Sequence, residues 1–258
     1  MTINFQQILQ DSWNFIRNQR KFTLMLTLTF CLVTLILNIF GSSLFQSVTE
    51  TAINEPIDKN ELSTMMQRVQ SGNFLLLYVV NQFITLLLST WGILSIHQIS
   101  RRQSVDYMQT AKSTLGLIFG VIILNILIAL PLMGGLINII PAAINPAAAS
   151  AGIIGFALMI FGVYVYVRLC LAPIHYTVSK TNIFASLQQT WQLGNKRTST
   201  LFLYCLLVYF IVPFIAQQVA FLANNTFLNI ITTLIISFLS VFTLVVTYRF
   251  YILFTQKA

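Results

Sequence analysis

Six long apolar runs constrain the fold of this chain more than any other feature of its sequence. They lie near 22–44, 74–96, 115–136, 150–168, 201–222 and 229–251. A helix needs about 20 apolar residues to cross the hydrocarbon core of a bilayer. Because hydrocarbon cannot hydrogen-bond to a free backbone, each run is predicted to cross the membrane as a helix. The runs are nearly continuous in Leu, Ile, Phe and Val rather than alternating, which disfavours a β-barrel.

Composition agrees with this interpretation and excludes an ordinary soluble domain. Charged residues make up 8% of the chain, whereas soluble domains carry about 25%. Hydrophobic residues account for 57%, and the mean hydropathy is +0.81. The sequence therefore predicts an all-α fold, a polytopic membrane helix bundle of three hairpins. Residues 1–258 are expected to form a single integral membrane domain.

The basic residues predict the orientation of the bundle. Positively charged residues are enriched in cytoplasmic loops. Only Lys59 and Arg68 lie in the loop 45–73, which we expect to be periplasmic. The other basic residues all fall on the opposite side: Arg17, Arg20, Lys21, Arg101, Arg102, Lys112, Arg168, Lys180, Lys196, Arg197, Arg249 and Lys257. The pattern predicts a bacterial inner-membrane protein with both termini in the cytoplasm. It also accounts for the net charge of +8 without a nucleic-acid partner.

Each hairpin begins with a short amphipathic segment on the cytoplasmic side. The first is predicted as a helix over 3–21, and its stretch Leu9 to Trp13 resembles the stretch Leu187 to Trp191 before the fifth span. A true threefold repeat is one explanation, and the ordinary amphipathicity of loops that leave a membrane is the other. Such helices lie in the headgroup plane, where basic side chains attract anionic lipid. The candidate lipid-headgroup or interface residues are Trp13, Arg17, Arg20, Lys21, Arg101, Arg102, Arg168, Trp191, Lys196, Arg197 and Arg249.

Helix-breaking residues cluster in the second half of the chain. Pro131, Gly134 and Gly135 fall near the outer end of the third span, and Pro213 lies in the middle of the fifth. Proline removes a backbone hydrogen bond and kinks a helix unless neighbouring groups occupy the freed carbonyl. These four residues are candidates for a cavity wall or a kink, with simple packing as the alternative. In the loop 45–73, Leu62, Met65, Met66 and Val69 follow a helical pattern and predict a short outer helix.

The sequence shows no constellation of catalytic residues. His97 and His175 are the only histidines, and no carboxylate pair is placed for acid–base work. We therefore predict no enzymatic activity, no cofactor and no metal site. Arg168 and Arg249 are expected to extend from the span ends to water. The polar residues expected to hydrogen-bond between helices are the amides Asn38, Asn81, Gln82 and Asn125.

One cytoplasmic stretch suggests a family. Arg168 to Pro173 is followed by Phe184-Ala185-Ser186-Leu187 and by Trp191, and Pro173 is expected to end the fourth span with an extended step. With the start Asp11-Ser12-Trp13 and the closing Tyr-Arg-Phe-Tyr-Ile-Leu run, the chain resembles the YciC-like multi-pass inner-membrane proteins of Gram-negative bacteria. The resemblance covers nearly the whole chain, apart from the outer loop. It implies an inner-membrane location and supplies no activity.

Two functions follow as hypotheses. The first is a non-enzymatic inner-membrane protein that organises lipids, with anionic headgroups as ligands, or an envelope protein as a partner. The second is a transporter or channel for a small or amphiphilic solute. The absence of an embedded carboxylate weakens proton-coupled or sodium-coupled transport, and no Walker-type lysine points to ATP-driven transport.

Overall fold

A computed structural model of the chain describes residues 4–45, 72–144, 149–195, 197–223 and 225–256. All regular secondary structure in these ranges is helical, as predicted. The elements are α1 (Phe5–Asn18), α2 (Arg20–Phe45), α3 (Gly72–Ser100), α4 (Tyr107–Ile144), α5 (Ala149–Leu169), α6 (Ala172–Ser179), α7 (Ile183–Leu193), α8 (Thr198–Cys205), a π-helical segment (Leu206–Ile211), α9 (Val212–Ala220) and α10 (Thr226–Gln256).

Six stretches within these helices are long and apolar enough to cross a membrane, which confirms the predicted fold class. They are Arg20–Gly41, Leu75–Ser100, Tyr107–Ile140, Gly152–Ser179, Thr198–Ala220 and Thr226–Gln256. Both described chain ends lie on one side, because six crossings return the chain to the side where it began. We call this side the basic end. The predicted outer helix around Leu62 lies outside the described residues.

The amphipathic pattern of the first segment forms α1 as expected. The side chain of Asn4 caps the helix, since its Oδ1 accepts hydrogen bonds from the backbone N–H of Gln6 at 3.0 Å and of Gln7 at 3.5 Å. The buried face includes Ile8 and Phe15, which belong to the main core. This face packs on α10 and more lightly on α2.

The last helix, α10, is the centre of the bundle and contacts α1, α2, α3, α6 and α9. Its residues Val241, Val245, Phe250 and Phe254 are fully buried. Elsewhere the burial is concentrated toward the basic end. In α2 it ends at Cys31, and in α3 the range 75–83 is almost entirely exposed. The outer halves of these two spans are therefore left with exposed apolar surface.

Helices α4 and α5 form the closest hairpin of the bundle. Gly135 has no room for a side chain, because a Cβ there would lie 2.7 Å from the backbone nitrogen of Met159. Gly162 approaches Leu132 in the same way, at 2.6 Å from its backbone nitrogen. Small residues allow membrane helices to approach this closely. Pro131 does not break α4, which continues from Tyr107 to Ile144. At Gly135 and Gly162 the structure therefore shows close packing between the two helices.

The local structure around Pro173 and Pro213 differs from the predicted one. Pro173 does not lead into an extended step: it lies in the first turn of the short helix α6, where its missing N–H is not needed. That helix ends at Lys180, in the left-handed region with φ of 50°. Pro213 follows the π-helical segment Leu206–Ile211, so the chain widens one turn before the proline. A π-helical turn in a helix often accompanies a functional site.

The three hairpins are arranged in a ring. The first elements of each hairpin pack on the last span of the preceding one: α4 on α3, α7 and α8 on α5, and α1 and α2 on α10. Each contact contains an aromatic pair with ring centroids 6.1 to 6.4 Å apart: Trp91 with Tyr107, Tyr164 with Trp191, and Trp13 with Phe238. The three junctions are thus alike in containing an aromatic pair, and in the contact of α4 with α3 the tryptophan lies on the preceding span rather than on the amphipathic segment.

Candidate functional site

The first candidate site is a groove between α1, α2 and α10, which we call the arginine groove. Its volume is about 680 Å³. Arg17 and Arg20 line it at the turn between α1 and α2, and the Arg20 Nε donates a hydrogen bond to the Arg17 carbonyl at 3.1 Å. The apolar part of its wall consists of Trp13, Ile16, Leu24, Leu234, Ile235 and Phe238.

The groove has two parts, an apolar trough formed by the apolar wall residues and a cationic mouth formed by Arg17 and Arg20. Both arginines are exposed, and no carboxylate is among the residues that line the groove. Thr23 and Thr27 also line it, and their hydroxyls have no hydrogen-bond partner in the described part of the chain. The arrangement suits a molecule that carries an anionic group on an apolar chain. Lys21 is exposed beside the groove without lining it.

A second groove occupies the equivalent place on α5 and α8 and lacks the charge. One constant offset along the sequence relates Arg20 to Thr198 and Leu24 to Phe202. Thr198 and Phe202 line this groove of about 450 Å³ beside Tyr164, the partner of Trp191. We call it the neutral groove, because no arginine or lysine is among its lining residues. The comparison shows that the arginines, rather than the hairpin contact, distinguish the arginine groove.

The structure corrects the expected position of Arg168. Its side chain is only 5% exposed and does not extend to water. The guanidinium lies 4.6 Å from the Trp191 ring centroid and donates hydrogen bonds to the Gly194 carbonyl and, at 3.2 Å, to the Thr198 hydroxyl. A cation that lies over an aromatic ring and donates hydrogen bonds to two neighbouring elements stabilises local structure. Arg168 and Trp191 therefore join α5 to α7 and α8.

Two other predicted interface arginines also contact aromatic rings. Arg249, expected to extend to water, is partly buried with its guanidinium carbon 5.5 Å from the Phe15 ring centroid. The guanidinium carbon of Arg197 lies 5.8 Å from the Phe254 ring centroid. Arg101 and Arg102 are exposed after α3, with Arg102 in the left-handed region at φ of 57°. Lys196 lies outside the described residues.

A polar cavity of about 600 Å³ opens beside α6, α7 and α10, and we call it the His175 cavity. The Nε2 of His175 lies within hydrogen-bond distance of the Gln189 side-chain carbonyl, and its Nδ1 hydrogen-bonds with the Tyr251 hydroxyl at 2.9 Å. Ser179 lies 3.3 Å from the same hydroxyl. These contacts join α6, α7 and α10 at the wall of the cavity. The sequence showed His175 and the final Tyr-Arg-Phe-Tyr run but gave no sign that Gln189 joins them.

A further polar cavity of about 560 Å³ lies beside α1, α3 and α10, and we call it the Asp11 cavity. Asp11 and Asn14 line one wall, and Arg102 and Arg249 line the other. Near its rim His97 pairs with Tyr248 at 3.0 Å, much as His175 pairs with Tyr251.

A smaller cavity of about 230 Å³ lies inside the bundle, between α3, α4, α6, the π-helical segment and α10. Thr90, Thr177 and Thr243 line it, and each hydroxyl donates to the carbonyl four residues earlier. Asn125 lines it too and donates to the Val121 carbonyl at 2.8 Å. The free oxygens of these groups are hydrogen-bond acceptors. We call this space the inner cavity.

Among the described residues, the four amides form none of the expected hydrogen bonds between helices. Asn38, Asn81 and Gln82 are exposed on the outer halves of α2 and α3, and the Gln82 amide donates to Tyr78 in its own helix at 3.2 Å. Asn125 also bonds within its own helix. The apolar runs place these four amides within the candidate membrane spans. They do not show which side of each helix faces a neighbouring helix.

Comparison with known proteins identifies a relative without a known function. No family model matches the sequence, and no solved structure matches it. An uncharacterised protein of Haemophilus influenzae is 34% identical over 256 residues, an alignment that covers 99% of this chain and 100% of that protein. The alignment therefore extends over all six candidate membrane spans. The chain belongs to the family of this uncharacterised Haemophilus influenzae protein.

Proposed function

We propose that this multi-pass membrane protein is a non-enzymatic organiser of anionic phospholipid in the bacterial inner membrane. The observation that carries the proposal is the arginine groove, in which Arg17 and Arg20 stand beside an apolar trough between α1, α2 and α10. A phospholipid offers the complementary parts, since its phosphate pairs with the arginines and one acyl chain covers the apolar wall. The protein belongs, in this proposal, to the YciC-like group, with both termini in the cytoplasm.

The location of the groove supports a lipid rather than a soluble anion. α1 is an amphipathic helix beside the start of the first span, so the groove opens where a headgroup meets acyl chains. Basic residues near an anionic membrane surface contribute about 1 kcal/mol each to its attraction. Removal of both positive charges is therefore expected to weaken lipid retention by about thirtyfold.

Native mass spectrometry of the full chain tests the proposal. The protein is released from nanodiscs that contain phosphatidylglycerol and phosphatidylcholine in equal parts. The native chain is expected to retain phosphatidylglycerol selectively. The double variant Arg17→Gln/Arg20→Gln is expected to lose that selectivity, because the trough remains while the cationic mouth is gone.

The control removes two positive charges that do not line the groove. Lys21 and Lys112 are exposed near the same end of the bundle. The variant Lys21→Gln/Lys112→Gln is expected to retain phosphatidylglycerol as the native chain does. Equal retention of both lipids by the native chain, or equal loss in both double variants, would contradict a specific groove.

The orientation is tested separately with reporter fusions. We expect a reporter at Asn60 to be active outside the cytoplasm, and reporters at Val105, Ala185 and Ala258 to be active inside. These positions follow from the distribution of the basic residues. A reporter at Asn60 that is active only in the cytoplasm would reverse the map and place the arginine groove in the other leaflet.

The inner cavity favours a second candidate, passage of a small solute. The cavity is lined by hydrogen-bond acceptors and by part of the π-helical segment, which lies just before Pro213 in the chain. Substitution Pro213→Ala restores a backbone donor, favours a regular helix and is expected to change solute flux in proteoliposomes. The matched control is Pro131→Ala in the continuous helix α4. If neither the native chain nor the variants move any solute, this candidate is excluded.

A further inference from the structure

The Asp11 cavity brings together a carboxylate and two guanidinium groups from three elements. Asp11 lies on α1, Arg102 follows the end of α3, and Arg249 lies on α10. No ion pair in the described part of the chain joins Asp11 to either arginine. Because the opposite charges line one cavity without pairing, the space between them suits a ligand that has both a positive and a negative group.

The wall formed by the two arginines suits an anionic group. The guanidinium carbon of Arg249 lies 5.5 Å from the Phe15 ring centroid, a contact that supplies no oxygen to its N–H groups. Its Nε is buried and has no hydrogen-bond partner among the described residues. Arg102 is exposed on the same side of the cavity. A partly buried cation without an acceptor is unfavourable, so oxygens bound at this wall would stabilise it.

The wall formed by α1 suits a cationic group. Asp11 is partly buried, and its carboxylate accepts no hydrogen bond from the described residues. Asn14 and Asn18 line the same wall, three and seven residues further along the helix. A primary ammonium group has three N–H donors, and carboxylate and amide oxygens accept them.

The Asp11 cavity and the arginine groove lie on opposite faces of α1. At about 100° per residue, Asp11 and Asn14 point away from Trp13 and Arg17, which line the groove. Since α1 is an amphipathic helix next to the start of the first span, both sites lie near the level of lipid headgroups. The groove has an apolar trough, whereas the lining residues of the cavity are mostly polar.

We propose that the Asp11 cavity binds a phosphoethanolamine group. Its primary ammonium donates hydrogen bonds to Asp11, and its phosphate oxygens accept hydrogen bonds from Arg102 and Arg249. Two guanidinium groups favour a phosphate over a carboxylate, because a phosphate offers them more oxygens. The volume of about 560 Å³ accommodates the group. It belongs either to free phosphoethanolamine or to the headgroup of phosphatidylethanolamine. The proposal does not depend on the arginine groove.

The first experiment titrates the purified full-length protein in detergent with two compounds, with ionic strength held constant by sodium chloride. One is phosphoethanolamine, and the other is 2-hydroxyethyl phosphate, in which a hydroxyl replaces the ammonium. Calorimetry is expected to show that the native chain binds phosphoethanolamine about tenfold more tightly. In Asp11→Asn this preference is expected to disappear, because the carboxylate that receives the ammonium is gone.

The matched control removes the same charge outside the cavity. Asp106 caps α4, where its Oδ1 accepts hydrogen bonds from the backbone N–H of Met108 and Gln109. An asparagine oxygen also caps a helix, so Asp106→Asn is expected to keep the preference for phosphoethanolamine. If Asp11→Asn does not fold, Arg102→Gln tests the other wall at an exposed side chain, and is expected to weaken phosphoethanolamine binding about tenfold.

A second arm distinguishes the source of the group. Native mass spectrometry from nanodiscs compares retention of phosphatidylethanolamine with retention of phosphatidylcholine, whose quaternary ammonium has no N–H to donate. Selective retention of phosphatidylethanolamine that Asp11→Asn abolishes and Arg17→Gln/Arg20→Gln keeps assigns the headgroup. Preference for the free compound without selective lipid retention assigns a soluble ligand. The proposal is wrong if the native chain shows neither preference, or if Asp11→Asn keeps the preference that the native chain shows.

Discussion

At the scale of single residues, the structure separates positions that look alike in the sequence. Gly134 and Gly135 are neighbours in the same apolar run, yet only Gly135 lies against the backbone of α5. Arg168 and Arg101 both lie near the basic end of a long apolar helix, yet Arg168 is buried under Trp191 and Arg101 is exposed. The sequence shows where such residues lie along a helix. Which side of the helix they face depends on packing between helices distant in sequence.

The glycine pair provides a residue-scale prediction. Gly135→Ala places a methyl group 2.7 Å from the Met159 backbone nitrogen, so α4 and α5 must move apart. We expect a loss of about 1–3 kcal/mol in the free energy of unfolding, the usual effect of overpacking. At Gly134 a Cβ meets nothing within 4 Å, so Gly134→Ala is expected to be neutral or stabilising by up to about 1 kcal/mol. Unfolding of both variants in detergent measures the difference.

The opposite order of stability for the two alanine variants would contradict the close α4–α5 contact. Equal small effects would indicate that the two helices separate at little cost. The pair is informative because both variants change the same glycine to the same residue, one position apart in one helix.

At the scale of elements, α1 was predictable because it carries its own amphipathic pattern. Its apolar face and polar face are both visible in the sequence, and the structure confirms the helix between Phe5 and Asn18. The short helix α6 was not predictable, since proline in a first helical turn and proline in an extended segment give the same local signal. The π-helical segment was also missed, because its six residues, Leu206–Ile211, are as apolar as any regular turn.

The attachment of α1 to α10 leads to an element-scale prediction. Ile8 is 1% exposed and belongs to the main core, whereas the neighbouring Gln7 is exposed. Replacing a buried Ile by Ala costs about 2–5 kcal/mol. We expect this loss to exceed the free energy that holds a single amphipathic helix of this length against the bundle. We expect Ile8→Ala to release α1 and speed cleavage by trypsin after Arg17 and Arg20 in proteoliposomes.

Gln7→Ala serves as the control and is expected to be cleaved at the native rate. If Ile8→Ala is cleaved no faster than Gln7→Ala, α1 is attached by lipid rather than by α10. Release of α1 also removes one wall of the arginine groove, so the same variant should lose selectivity for phosphatidylglycerol.

At the scale of the whole molecule, the sequence predicted the class of fold but not the packing of the first hairpin against the last. Six spans can be inferred from the apolar runs, whereas the similarity of Leu9–Trp13 to Leu187–Trp191 left a repeat and unrelated amphipathic loops as alternatives. That the first hairpin packs on the last requires contacts between the two ends of the chain, which no local pattern contains. In the described part of the chain, grooves are found at two of the three junctions, that of α1 and α2 with α10 and that of α8 with α5, and a substitution at equivalent positions, Arg20 and Thr198, changes their polarity.

The ring predicts that the three aromatic pairs contribute in the same way to stability. Each pair joins the start of one hairpin to the end of the preceding one, at centroid distances of 6.1 to 6.4 Å. Double-mutant cycles with leucine in place of each ring are expected to give coupling energies of about 0.5–1.5 kcal/mol. Trp91 and Tyr107 meet at 61°, against 85° and 86° for the others, so their coupling should be the smallest. No coupling between Trp13 and Phe238 would contradict an equal role for the three pairs and would leave the buried face of α1 as the main contact between the two ends of the chain.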